Sequence, residues 1–183
     1  APHPFYHSGS FFLSFPSYLA GGKIVILLEL NDPRYLLDAI CDEKVNNGWV
    51  SVPTMSDSVN AIKKGLIDIT RYDFSHVTGS IVIGAQPVPP SLIHRWKKYF
   101  PNHLYDTNYG LSESIGPGCV HLGVENIHKV GAIGIPGYNW EVNIVDENGK
   151  PVKQGQVGEL IVKGPGVMKC YYNDPKATAE VLK

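Results

Sequence analysis

The sequence predicts an α/β protein: a mostly parallel sheet with flanking helices, then a small C-terminal antiparallel β-subdomain. Three observations predict it. Short β-branched runs alternate with amphipathic segments over residues 23–108. The connections between them suit strand–helix–strand crossovers. After about Gly131 the helical patterning stops, and β-rich runs punctuated by turn residues replace it.

Taken in order, Lys23 to Leu30 follows a Gly-Gly turn and reads as a buried strand. The next segment, "DPRYLLDAICDEKV", reads as a helix. Asp32 is its natural N-cap and Pro33 its first residue, with Leu36, Leu37, Ile40 and Val45 on the inner face. "GWVSV" is a short strand. "TMSDSVNAIKKG" is a second helix, capped by Thr54 or Ser56, with Gly65 beyond its end. "HVTGSIVIGA" is a strand, "PPSLIHRWKKYF" a helix that stops before Pro101, and "HLYDTNYG" a further strand. Beyond that, "NWEVNIVD", the turn "ENGK" and "VGELIVKG" form a hairpin or meander, with Asn148-Gly149 supplying the turn. "DPKATAEVLK" opens a new helix. The predicted division is therefore residues 1–130 and 131–183.

The bulk numbers exclude several classes. A chain of 183 residues, 43% hydrophobic and 18% charged, buries a sizeable core. Its formal charge of -1 gives no electrostatic reason to bind nucleic acid or an anionic membrane. The longest aliphatic run, "IVILL", is far short of a membrane span. "APHPFYHSG" is not a signal peptide. Cys41, Cys119 and Cys170 fit no metal spacing, which leaves a reduced, cytoplasmic setting as the default. The first residue is not Met, and both ends are abrupt, so the expectation is a piece of something longer.

Among chemical motifs, "GLSES" lacks the final glycine of a hydrolase elbow. His3 and His7 are four apart, but Pro2 and Pro4 prevent the helix a zinc pair needs. "GAIGIPG" has the wrong glycine spacing for a dinucleotide site, and no lysine-bearing phosphate loop is present. What stands out is "DTNYGLSE". In an open α/β sheet, ligands bind beyond the carboxyl ends of the strands. Gly84, Ala85 and Gln86 offer close-approach backbone at one such end, and Tyr109 offers a flat face at another. A purine between them, a phosphate on Ser112 and Mg²⁺ on Glu113 would make a nucleotide site. A buried tyrosine, a turn glycine and a helix cap account for the same residues.

At these residues the sequence resembles the adenylate-forming superfamily of acyl-CoA synthetases, luciferases and peptide-synthetase adenylation domains. The resemblance runs in order through nearly the whole chain. "PFYHSGSFF" resembles the family's P-x-x-H-x-G segment, "GAQPVPPSL" its G-G-A-P-L segment, and "YGLSE" its Y-G-x-T-E segment. "GELIVKGPGVMKCYYNDPKAT" resembles the long G-E-(L/I)-x-x-x-G-P-x-V-M-x-G-Y-x-N-x-P-x-A-T segment.

The resemblance implies roles. Tyr109 would stack on adenine, with Gly84, Ala85, Gln86 and Pro87 opposite. Thr107 or Asn108 would reach the exocyclic amine. Gly110 and Leu111 would border the acyl pocket and nucleotide. Ser112 would contact the α-phosphate, Glu113 would bind Mg²⁺, and His7 would stand near the carboxylate and the thiol tunnel.

It further implies ATP or AMP, Mg²⁺ and coenzyme A as ligands, and a small carboxylic acid as substrate. Ser112 replaces the commoner threonine and keeps the hydroxyl. Cys170 stands where the family usually has glycine, and would be strained if that position requires a positive φ. The family's phosphate loop, its Y-x-T-G-D segment and its C-terminal lysine domain match nothing in these 183 residues. The expectation is a fragment of an acyl-CoA ligase for fatty or other apolar acids, inactive alone. A peptide-synthetase-type fragment and a catalytically dead binding module are the alternatives. Surface left bare in a fragment leaves room for a homo-oligomer.

Overall fold

The structure is a computed structural model. It describes residues 6–29, 31–84, 86–121, 129 and 131–182. A five-stranded sheet runs β1 (Gly48–Ser51), β2 (Ser80–Gly84), β3 (Leu104–Leu111), β4 (Gly116–His121), β5 (Ile135–Pro136), in that spatial order. The first three strands are parallel, and β4 and β5 join antiparallel, so the sheet is mixed. A separate hairpin pairs β6 (Glu141–Val145) with β7 (Glu159–Lys163). Five α-helices accompany them: α1 (Ser8–Leu19), α2 (Pro33–Asp42), α3 (Val52–Lys63), α4 (Pro90–Lys97) and α5 (Pro175–Val181).

One face of β1–β3 carries the core. Val50, Ile81 and Ile83 pack against α2, α3 and α4 through Leu37, Met55, Val59, Ile93 and Trp96. α2 forms as its sequence dictates. Asp32 accepts from the Arg34 N–H, Pro33 occupies the first turn, and Leu36, Leu37 and Ile40 are buried. α3 begins earlier than its sequence suggests. Its cap is Ser51, whose hydroxyl accepts from the Thr54 N–H, rather than Thr54 or Ser56. Val52 and Pro53 thus join the helix, because a proline in the first turn gives up no hydrogen bond. Gly65 follows its end with φ +70°, as expected.

Two segments differ from expectation. Residues 23–29 are extended but join no ladder among the described residues, and Leu28 is 94% exposed. A β-branched run counts as a ladder strand only where it lies in register beside another strand. The reverse holds for α1, which carries Gly9 and Pro16 and was not legible as a helix. It packs on the other face of the sheet, against β1 and β4. Gly21 and Gly22 close it: Gly22 N–H donates to the Ser17 carbonyl and Gly21 N–H to that of Tyr18, with Gly21 at φ +79°. The Gly-Gly pair terminates a helix rather than introducing a strand.

The hairpin turn forms around Asp146, whose Oδ1 accepts from the Asn148 and Lys150 N–H groups, with Gly149 at φ +75°. The strand that pairs with β6 lies beyond a second turn at Gly155, so the connection is longer than a simple hairpin. The hairpin docks on the larger sheet through glycines. A Cβ on Gly118 would meet Val162 at 2.9 Å, and one on Gly116 would meet the Trp140 ring at 3.5 Å. Cys170 is not among the positive-φ residues, so cysteine carries no strain there.

Candidate functional site

The carboxyl ends of β1, β2 and β3 point the same way, and α1 crosses that end of the sheet with its N-terminus. Between them lies a cleft of about 370 Å³. Its wall includes His7, Asn108, Gly110, Leu111, Ser112 and Glu113, six of the residues singled out from the sequence. It also includes Ser8, Gly9, Phe12 and Trp49, which were not.

Strand alternation decides which side chains reach the cleft. Asn108 and Gly110 share one face of β3, and Tyr109 points to the other. The β3–β4 register shifts between Tyr109 and Gly110, leaving Gly118 as an extra residue on β4. Such a bulge bends the strand where a site must be shaped. Tyr109 is half-buried, and its Cδ1 lies 3.9 Å from where a Gly118 Cβ would sit. It is not sealed in the interior.

Thr107 is a different case from Asn108. Its side chain is 5% exposed and its hydroxyl donates to the Ile83 carbonyl at 2.7 Å. That bond ties β3 to β2 and leaves Asn108 as the one of the pair that faces the cleft. Gly84 is buried because it sits against Trp49: a Cβ there would come 3.0 Å from the indole Nε1. Gln86 and Pro87 are exposed just past β2. Ala85, His3 and Lys183 lie outside the described residues.

His7 caps α1. Its Nδ1 accepts the Gly9 N–H at 3.1 Å, which places the proton of a neutral ring on Nε2. Its ring stacks on Trp49 with centroids 5.3 Å apart. The turn after β3 is pinned by Ser114, whose Oγ accepts from the Leu111 N–H at 3.1 Å. Ile115 follows at φ +50°, a left-handed conformation that a β-branched residue adopts only under strain. Ser8 and Ser112 hydroxyls approach to 3.4 Å across the cleft mouth, a weak contact.

Glu113 has a partner that the sequence did not reveal. The Tyr171 hydroxyl donates to its Oε1 at 2.6 Å, and the Met168 N–H donates to its backbone carbonyl at 2.7 Å. The Tyr171 hydroxyl holds the Glu113 carboxyl below the usual carboxylate range, aided by a backbone hydrogen bond. The same bond pushes the Tyr171 phenol up. No cluster of three His, Cys, Asp or Glu side chains occurs among the described residues. A single carboxylate with one oxygen engaged suits Mg²⁺ that takes its other ligands from phosphate and water. The sequence signal for Trp49 was present, a lone tryptophan beside a glycine at a strand start. Tyr171 carried none, because its partner is 58 residues away.

The profile of the "AMP-binding enzyme" family matches residues 1–172. A feruloyl-CoA synthase from an Amycolatopsis species is 33% identical over 98% of this chain and 35% of its own length. A long-chain-fatty-acid–CoA ligase from Salmonella typhimurium is 34% identical over 71% of this chain and 23% of its own. Among solved structures, a long-chain-fatty-acid-CoA ligase from Archaeoglobus fulgidus superimposes with a TM-score of 0.85 at 22% identity, covering 98% of this chain and 36% of that one. The o-succinylbenzoate CoA synthetase of Bacillus subtilis, in complex with the acyl-adenylate intermediate, gives 0.81 at 20% identity over 100% of this chain and 35% of that one. The chain spans 35% of the length of the synthase and 23% of that of the Salmonella ligase. No described helix is long and apolar enough to cross a membrane. With that profile match, and on the mixed-sheet fold it shares with these ligases, the chain belongs to the AMP-binding enzyme family.

Proposed function

We propose that this chain is the central part of an ATP-dependent acyl-CoA ligase. In the intact enzyme a carboxylate oxygen attacks the α-phosphorus of ATP and pyrophosphate leaves. The thiol sulfur of coenzyme A then attacks the acyl carbon, and AMP departs with the electrons of the broken C–O bond. The observation that carries this reading is the convergence of His7, Asn108, Gly110, Leu111, Ser112 and Glu113 on one cleft at the carboxyl ends of parallel strands.

In this arrangement the Ser112 hydroxyl bonds the α-phosphate. Glu113 offers Mg²⁺ the oxygen that Tyr171 does not engage. Mg²⁺ would neutralise phosphate charge as the first bond forms. His7 lies beside the carboxylate. The Asn108 backbone meets the purine edge, while its side chain faces the cleft. Adenine lies on the Tyr109 side of β3, with Gly84, Ala85, Gln86 and Pro87 opposite, and the phosphates cross Gly110 into the cleft. The division into residues 1–130 and 131–183 belongs to the same proposal, supported by a hairpin drawn wholly from the second part. So does a cytoplasmic setting, for which Cys41, Cys119 and Cys170 as free thiols speak. The bare aromatic face of α1, with Phe11, Phe15 and Tyr18 exposed, supports self-association.

The test is ATP–pyrophosphate exchange by the full-length protein that carries this chain, against a panel of carboxylic acids. Ser112→Ala and Glu113→Gln should each cost about a hundredfold or more in exchange rate. The 183 residues alone should not turn over. Tyr109→Ala should weaken AMP binding about 10–100-fold by titration calorimetry, the worth of one base–aromatic stack. Unchanged AMP affinity would remove the stacking.

A further inference from the structure

Glu113 sits on a turn whose backbone is fixed on both sides. Before it, the Leu111 N–H donates to the Ser114 hydroxyl at 3.1 Å. After it, the Ile115 N–H donates to the Leu111 carbonyl at 3.1 Å. The Met168 N–H holds the Glu113 carbonyl itself at 2.7 Å. What these bonds leave undecided is the side chain, which stands in the cleft wall and has many rotamers to choose from.

The Tyr171 hydroxyl makes that choice by donating to Oε1 at 2.6 Å. Tyr171 is anchored in turn. Its N–H donates to the Thr178 hydroxyl at 2.9 Å, and that hydroxyl donates to the Asp174 carbonyl at 2.7 Å. Asp174 caps α5, accepting the Ala177 N–H at 2.9 Å. A line of hydrogen bonds thus runs from the first turn of α5 to the carboxylate in the cleft. The next ring in the chain goes the other way: Tyr171 is half-buried, while Tyr172 is 91% exposed.

We propose that Tyr171 is a positioning residue for the metal-bound nucleotide. It holds Oε1 of Glu113, so that the remaining oxygen meets Mg²⁺ without a search through rotamers. This rests on the ligase reading above, which gives Glu113 the metal. Mg²⁺ demands near-ideal octahedral geometry, so a carboxylate oxygen that is already aimed is worth more to it than one that wanders. The phenol donates a hydrogen bond and keeps its proton, so the carboxylate keeps its charge. Partners that hold a metal ligand from behind in this way typically change metal affinity by about 10–100-fold when they are removed.

The experiment measures, by titration calorimetry on the full-length protein, the affinity for Mn²⁺ with α,β-methylene-ATP and the affinity for AMP alone. The first uses Glu113 and the second does not. Tyr171→Phe keeps the ring and loses only the hydroxyl. It should weaken the metal–nucleotide complex by about 10-fold or more and leave AMP binding unchanged. Tyr172→Phe should change neither. In ATP–pyrophosphate exchange, Tyr171→Phe should need more Mg²⁺ and approach the wild-type rate once Mg²⁺ saturates. Equal weakening of both ligands would mark a merely structural tyrosine and overturn the inference. Tighter binding of the metal–nucleotide complex would overturn it too, because the hydroxyl would then be competing with the cation. Glu113→Gln separates this inference from the reading beneath it. If that variant leaves the metal–nucleotide affinity unchanged, the metal role of Glu113 falls and this inference with it. If it weakens that affinity and Tyr171→Phe does not, the inference alone falls.

Discussion

The α/β region and the β6–β7 hairpin are held by different forces. Between Leu36 and Phe100, nineteen buried apolar residues among those described form one continuous core. In β6 and β7, Val145 is the only residue buried, at 4% exposure. What the hairpin has instead is shape. Trp140 lies against Gly164 and Gly166, which have no side chains to obstruct it, and Gly166 sits under the Ser114 carbonyl. Met168 and Tyr171 then hold Glu113 by backbone and side chain. The core supplies stability through area removed from water. The hairpin supplies alignment through a few close contacts that tolerate no added atom.

The contrast breaks most sharply in the core. Trp96→Ala should cost about 3–5 kcal/mol in chemical denaturation, because the ring is 1% exposed and stacks on Phe100 at 4.2 Å. Ile161→Ala in β7, 40% exposed, should cost under about 1 kcal/mol. Equal costs would mean the hairpin has a core of its own.

Acid should attack the same region. His103 is fully buried, its Nε2 3.0 Å from the Ile81 carbonyl, and burial pushes its pKa from 6.5 down to about 4. The unfolded chain takes up this proton near pH 6.5 and the folded one resists it. Stability is therefore complete above that pH and falls as pH drops towards 4, by about 3 kcal/mol. His103→Gln does not titrate and should flatten that window in acid-unfolding curves. An unchanged curve would shift the acid sensitivity elsewhere.

In the hairpin dock, Gly166→Ala would bring a Cβ within 2.2 Å of the Ser114 oxygen. A loss of about 1–3 kcal/mol is expected. Hydrogen exchange should quicken at the Met168 amide while amides in β1–β3 stay protected. Exchange that quickens everywhere would show the two regions to be one cooperative unit.

The smallest change is local. Tyr171→Phe removes the hydroxyl that keeps the Glu113 carboxyl low, so that carboxyl should titrate at a higher pH by carbon-detected NMR. The stability it contributes is present at neutral pH and lost as pH falls through its depressed value, and the variant should lose it. An unmoved titration would mean the bond is not formed in solution.

Most of the α/β region was legible because its signals are local. Asp32-Pro33, the 3.6-residue spacing of Leu36, Leu37 and Ile40, and Gly65 each act within one turn of chain. The six cleft residues were legible as motif members, but not as the wall of one cavity. Where the signal is shared between distant segments, the reading failed. Residues 23–29 look like a strand yet join no ladder among the described residues, and α1 looks like a loop yet is helical against the sheet.

By itself the sequence determined the helix caps, the turn glycines, the β-to-α rhythm and the chemical types available at the end of β3, because each is decided by neighbours a few residues apart. Only the tertiary structure decided that Asn108 faces the cleft and Thr107 does not, that Trp49 lies under His7 in the cleft wall, and that Tyr171 holds Glu113. Those facts depend on sheet register and on which segment lies across from which, and neither is set by the local preferences of the chain.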